Sequence, residues 1–563
     1  MTSSPNPNNA GVLIIGAGLS GMCTAIDMIR RNNNRDFIIV EKGSQIGGTW
    51  SDSKYPGCCC DIWSHLYSYS FEPNPGWTRE YPTQEEMHAY LIGVAQKWGL
   101  YRYIRFNTVV DEARWDETSK TWQTSVSVTG AKDAEFSPSY TITSNILVSG
   151  VGQLNQPYCP KFDGIKSFKG KIMHSARWDR SYDFAGKKIA LIGNGATAAQ
   201  ILPEIVKTAE SVTLFQRTPN WVIPRDDKPI SETMRKVYRY VPGVRKRYRA
   251  SLMDARESFF EAAAVEDSQM NSVIRQLSLG HMAAQIPNNE ELRKALTPDY
   301  PPGCKRIVIS DDFYPAIANP KTTLETRPID RVTPSGLAAA GTESDYDLII
   351  LATGFRTVEF MYPIKIYGSQ GAAIEDVWKG GAHAYLGITV PQLPNFAMLY
   401  GPNTNLGHNS IILMIEAQSR YINALFAPVL KARASSGRSD NLSILPKPEK
   451  VKEYNAEIQA RLQKSTFSHP SCRSWYKNAD GLVTNNWCGT AVEYQMRTSV
   501  VDWNDYFVSG AGKDTFQLNK TRQEIGRTVE EGHSSIASII STVVAGVAVA
   551  VAVSRFSLSS MID

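Results

Sequence analysis

Two stretches of this chain repeat one pattern, and that echo limits the possible folds more than any other feature. AGVLIIGAGLSG (Ala10 to Gly21) and GKKIALIGNGATA (Gly186 to Ala198) each run from an apolar strand through a glycine turn into a helix opening. Gly16, Gly18 and Gly21 are spaced G-x-G-x-x-G, and Gly193, Gly195 and Ala198 keep that spacing with alanine last. The first glycine permits the tight turn and the second lets backbone approach a pyrophosphate. The third, small position seats the helix close to its strand, with the helix N-terminus facing the phosphate charge. One such triplet is weak evidence. Two in strand–turn–helix context predict an α/β chain with two Rossmann-like dinucleotide-binding domains.

The next strand of each unit indicates the nucleotide. FIIVEK places Glu41 twenty residues after Gly21, where a carboxylate accepts hydrogen bonds from ribose hydroxyls, as FAD or NAD requires. SVTLFQRTPN places Arg217 nineteen residues after Ala198. A guanidinium there pairs with a 2′-phosphate and has no partner on a bare ribose, so the second site is expected to take NADPH.

A later apolar strand, YDLIILATGF (Tyr346 to Phe355), reads as the return to the first domain, which places the NADP domain inside the first. The expected organisation is a first-domain segment over 10–163, a linker over 164–184 and an NADP domain over 185–345. A second segment of the first domain, which the resemblance described below makes the FAD domain, covers 346–515, and a tail covers 516–563. Within the NADP domain, about 226–301 has helical periodicity and many charges, and is too long for a loop; it predicts a helical insert over the cleft.

A net charge of +5 on 563 residues, with no basic arm, gives no reason to expect a nucleic-acid partner. The eight cysteines and eight histidines are dispersed apart from Cys58, Cys59 and Cys60, so no metal site is expected, and reduced thiols in an intracellular compartment fit best. The N-terminus has no signal-peptide pattern. The uncharged run Ile536 to Val553 would span roughly 27 Å as a helix. It is expected to be a C-terminal transmembrane helix that leaves the catalytic part in the cytosol. Oligomeric state is left open.

Beyond the glycine loops, FKGKIMHSARWD (Phe168 to Asp179) carries Phe168, Gly170, His174 and Trp178 at fixed spacing. GGTWSDSKYPGCCCD adds Gly47, Gly48, Trp50, Tyr55, Pro56, Gly57 and Asp61, and ATG (Ala352 to Gly354) and YGPNTNLGHNS (Tyr400 to Ser410) complete the set. In these motifs, from about Val12 to Trp487, the chain resembles flavin-dependent monooxygenases of the Baeyer–Villiger type. The resemblance implies that NADPH reduces FAD, that the reduced flavin adds O₂ to give a C4a-peroxyflavin, and that a ketone becomes an ester or lactone. It also implies roles. Arg306, in PPGCKR, would stabilise the anionic intermediates, and Asp61 would orient it. Thr49, Trp50, Ser51, Asp52, Asp61 and Tyr67 would join Glu41 at FAD. Cys59, Cys60, Asp61 and the run Gly193, Asn194, Gly195, Ala196, Thr197, Ala198 and Ala199 would hold NADP, with Arg217, Thr218 and Lys305 at its 2′-phosphate. Trp475 would pack by the nicotinamide.

Two departures stand out. Asp179 replaces the proline of many members and is expected to loosen the segment, and Trp63 stands where proline is familiar. His174 has no acid beside it and reads as a hinge residue, not a catalytic base. A lipophilic ketone is the expected substrate. N- or S-oxygenation is the nearest alternative activity, and a non-catalytic, membrane-tethered flavoprotein is a remote one.

Overall fold

The computed structural model describes residues 7–129, 138–436, 441–510 and 521–532. The first glycine unit lies at the centre of an eight-stranded sheet. Strand Asn9–Ile15 pairs in parallel with Phe37–Val40 on one side and Ser139–Ser149 on the other. Beyond Ser139–Ser149 the sheet continues antiparallel through Thr121–Val128 and Thr108–Asp116. Ile104–Arg105 extends it beyond Phe37–Val40, and strands Lys365–Tyr367 and Phe396–Met398, from later in the chain than the second domain, complete it. Asn9–Ile15 is buried along almost its whole length, as a parallel strand covered on both faces must be. Helix Leu19–Asn32 covers one face and packs on the long helix Ile411–Ser436; the Ser419 hydroxyl there donates to the buried Asp27 carboxylate at 2.8 Å.

The second unit is a five-stranded parallel sheet ordered Thr322–Glu325, Ser211–Phe215, Lys188–Ile192, Leu348–Leu351, Lys171–His174. The motif segment 164–184 is therefore more than a connection, since its residues Lys171–His174 form an edge strand of this sheet, paired with Leu348–Leu351; that strand, expected to return the chain to the first domain, belongs to the second sheet. The His174 ring is buried, its Nδ1 accepts from the Ala176 N–H at 3.1 Å, and it lies edge-on to Phe355. Burial lowers its pKa, so the ring is held neutral and packed. Asp179 does not loosen the segment: its carboxylate accepts from Lys171 Nζ at 2.8 Å, and from the Ser181 N–H and hydroxyl. An acidic side chain can close the turn where proline would have stiffened it.

The insert consists of helices Glu232–Tyr240, Val244–Ala264, Gln269–Gln285 and Glu290–Leu296. Serine or asparagine caps three of the four, as helix starts exposed to water prefer.

Two expectations need correction or limitation. Cys304 and Cys472 form a disulfide, so the thiols are not all reduced. The two lie 168 residues apart, a pairing that spacing alone cannot reveal. No helix among the described residues is long and apolar enough to cross a membrane, and 536–553 lies outside those residues.

Candidate active site

Each glycine loop shows why its residues are small. Gly16 has φ +97°, and a Cβ on Gly21 would sit 1.9 Å from the Gly16 carbonyl oxygen, so only glycine lets helix and strand approach this closely. Gly18 and Gly195 end their turns as helix caps with no side-chain hydrogen bond, and a Cβ on Gly195 would meet open space. Both helix starts therefore present bare N–H groups. Glu41 accepts from the Ala17 and Gly43 N–H groups, each at 2.8 Å, which fixes its carboxylate beside the first turn. These arrangements fit one dinucleotide at each loop.

Thr49, Trp50, Ser51 and Asp52 form a single helical turn after Gly48, whose Cα lies against Gly18. Trp50 is buried and meets Tyr67 edge-on at 5.8 Å. Arg177 of the motif segment reaches Asp52 at 3.8 Å, linking that segment to the first nucleotide loop.

At the second loop, Gly193 takes φ +104° and Asn194 donates to Gln216 and to the Thr218 carbonyl, at 2.8 and 3.0 Å. Ala196, Thr197, Ala198 and Ala199 open the following helix. Arg217 is exposed, and Lys305 Nζ hydrogen-bonds the Thr218 hydroxyl beside it. Burial, then the neighbouring Arg217 charge, lowers the Lys305 pKa to about 8. Two cations and a hydroxyl thus converge with no carboxylate paired to Arg217 or Lys305 among the described residues, an arrangement that suits a phosphate.

Between the two loops, Arg306 Nε donates to Asp61 Oδ2 at 2.6 Å. The chain brings them together from 245 positions apart, and their side chains stay 26% and 29% exposed. Burial opposes the charge on Arg306, but the Asp61 carboxylate outweighs it and holds the guanidinium above its ordinary range. Burial likewise favours neutral Asp61, and Arg306 overcomes that to keep the carboxylate below its usual pKa. Both members are therefore charged at neutral pH.

Cys59 and Cys60 lie just before Asp61, and burial pushes both thiols up, Cys59 to about 11. They are neutral packing groups. The Cys59 carbonyl accepts from Gln200 Nε2 at 3.1 Å and its sulfur from Arg225 at 2.9 Å, so the second domain grips this loop. The Trp475 ring lies tilted against Tyr476, with centroids 4.6 Å apart, and its carbonyl accepts from the Thr357 hydroxyl at 2.9 Å. The Cys304–Cys472 disulfide ties the Trp475 loop to the Lys305–Arg306 loop.

A family model described as flavin-binding monooxygenase-like matches residues 9–461. The chain belongs to that family. Among its relatives, the Aspergillus niger protein named FAD-binding monooxygenase ktnD is 48% identical, over 93% of this chain and 85% of its own. A Baeyer–Villiger monooxygenase of Streptomyces coelicolor is 39% identical, over 88% and 92%. Among solved structures, OTEMO in complex with FAD and NADP superposes with a TM-score of 0.76 at 25% identity, covering 90% of this chain and all of that one. Oxidised steroid monooxygenase bound to NADP reaches 0.73 at 27%, covering 87% and 97%. This family member is thus a monooxygenase of Baeyer–Villiger type.

Several residues in this cleft had not been singled out from sequence. Gln200, Arg225, Arg256 and Tyr476 are ordinary residues outside any fixed-spacing motif, and only folding gathers them here. The disulfide could not be read from spacing. Glu257, on the insert helix, accepts from Asn409 at 2.7 Å and lies 3.4 Å from His408, which gives His408 a structural tie to the insert.

Proposed function

We propose that this protein is an NADPH- and O₂-dependent flavoprotein monooxygenase that inserts one oxygen beside a ketone carbonyl, yielding an ester or lactone. The observation that carries this reading is the part-exposed Arg306–Asp61 pair, in a chain that carries two nucleotide loops. FAD, when bound, would supply hydride acceptance and oxygen activation. Gly16, Gly18, Gly21, Glu41, the Thr49–Asp52 turn and Tyr67 would hold it. Gly193 to Ala199 would hold NADPH, with Arg217, Thr218 and Lys305 on its 2′-phosphate and Trp475 walling the cleft.

Arg306 does what a lysine or histidine would do poorly. Its guanidinium cannot lose its proton at any working pH, so positive charge stays fixed where negative charge develops on oxygen. Asp61 takes its Nε, which sets the guanidinium plane and leaves the terminal nitrogens free to donate. The test is incubation of purified protein with NADPH, O₂ and a panel of ketones. An ester heavier than its ketone by one oxygen supports the proposal. N-oxides or sulfoxides alone, or NADPH consumption indifferent to every ketone, would sink it.

A further inference from the structure

An isolated Asp61–Arg306 pair has no net charge, which is a poor arrangement for stabilising an anion. A second guanidinium stands beside it. Arg256, on insert helix Val244–Ala264, is 9% exposed and donates Nη2 to the Asp61 carbonyl at 3.1 Å. Its guanidinium lies over the Trp63 ring at 4.6 Å, with Phe259 at 5.7 Å, and its Nε has no hydrogen-bond partner. No carboxylate among the described residues comes within ion-pair distance of it.

We infer that Arg256, clamped on Trp63, is a positioning residue for the Asp61–Arg306 pair: it fixes the Asp61 main chain and makes the cluster net positive. The inference deepens the proposed function and rests on it. A buried cation without a counter-ion is costly, so its presence needs a compensating role. Its surroundings supply two. The planar guanidinium can stack on an indole while donating in its own plane to a carbonyl, a combination closed to lysine. It also links the insert to the main chain of the acid that aligns Arg306. Tryptophan at 63, where proline is familiar, thereby acquires a function, because proline has no face on which to hold a guanidinium.

The charge count around Asp61 supports this. From the insert comes Arg256, and from the second domain comes Arg306. The other titratable groups that the Asp61 charge acts on are Cys59, Cys60, Tyr67, Tyr81, Tyr400 and Tyr476, all raised by burial and so neutral at working pH; one residue further out, Arg225 faces Cys59 together with Asp227 and Asp312. Two cations against one carboxylate leave a surplus of one positive charge. Arg256 also helps Arg306 to keep Asp61 ionised, so its removal should raise the pH at which Asp61 takes up a proton.

Arg256→Gln and Arg256→Lys test this, read by flavin absorbance against pH, by the rate of flavin reduction with NADPH, and by ester formed per NADPH. In Arg256→Gln we expect FAD binding and reduction to persist, ester per NADPH to fall roughly tenfold, and the acid limb to move up by about half a pH unit. Arg256→Lys should restore the limb but only part of the ester yield, since the charge returns without the stack. In an Asp61→Asn background, Arg256→Gln should move no acid limb, because the titrating carboxylate is gone while the main-chain bond it shares with Arg256 remains. An unmoved limb in Arg256→Gln, a limb that Arg256→Lys fails to restore, or a limb shift that persists in Asp61→Asn would overturn the inference. Absorbance titration reads the limb whether or not a ketone is oxygenated. A wild type that makes no ester therefore counts against the proposed function, and a variant with an unmoved limb against this inference.

Discussion

Lys305 illustrates how one position can set a pH dependence. Its ammonium is half-buried, faces Arg217, and has its pKa lowered to about 8. It is cationic below that value and neutral above it, so the phosphate-facing charge weakens as pH rises through 8. The KM for NADPH should climb over that range by roughly tenfold, the scale of one charge-assisted hydrogen bond. Lys305→Arg should flatten the rise, because a guanidinium stays charged. Steady-state kinetics between pH 6.5 and 9.5 (~3 pH units, enough to span a one-proton titration) checks this, and an equal rise in both proteins would contradict it. At this scale much was legible. The spacing from Ala198 to Arg217 is local, because a βαβ unit fixes where its second strand ends. Arg256 was not legible, because a charged residue among many on a charged helix has no local mark.

At the scale of elements, the decisive contacts lie between loops distant in sequence. The Cys304–Cys472 bond joins the loop carrying Lys305 and Arg306 to the loop carrying Trp475, within a small buried cluster with Trp221 and Tyr300. Replacing both cysteines with serine should cost about 2–5 kcal/mol, the usual loss for a native disulfide, and lower the Tm. Thiol titration in denaturant offers a direct check: six free thiols without reductant, since six cysteines are unpaired, and eight after reduction. Eight before reduction would contradict the bond. The glycine loops could be read because their strand, turn and helix are contiguous. The motif segment was only half legible, since His174 and Asp179 could be recognised, whereas the pairing of Lys171–His174 with Leu348–Leu351 depends on a strand much later in the chain.

Across the whole molecule, the insert is bound to the first domain and to the chain's last described segment through buried polar groups. Arg249 pairs with Glu530, at 8% and 6% side-chain exposure, and donates to the carbonyls of His65 and Leu66. Gly532 N–H reaches Asp254 on the same helix at 2.9 Å. Glu530→Gln would leave Arg249 buried without its counter-ion and should cost about 3–5 kcal/mol. Denaturant unfolding that matches wild type would contradict this. The two glycine units could be read, whereas the place of Leu348–Leu351 inside the second sheet could not. Nor could the seat of residues 521–532 against the insert, because ion pairs between remote segments leave no periodic trace.

The central claim is that Arg306, aligned by Asp61, provides the fixed charge for oxygen transfer and not for flavin reduction. Stopped-flow reduction by NADPH and ester yield, measured together on Arg306→Ala, test it most directly. FAD should remain bound and reduction should stay within roughly tenfold of wild type, while ester formation falls by about a hundredfold or more. Wild-type ester yield from Arg306→Ala would contradict it.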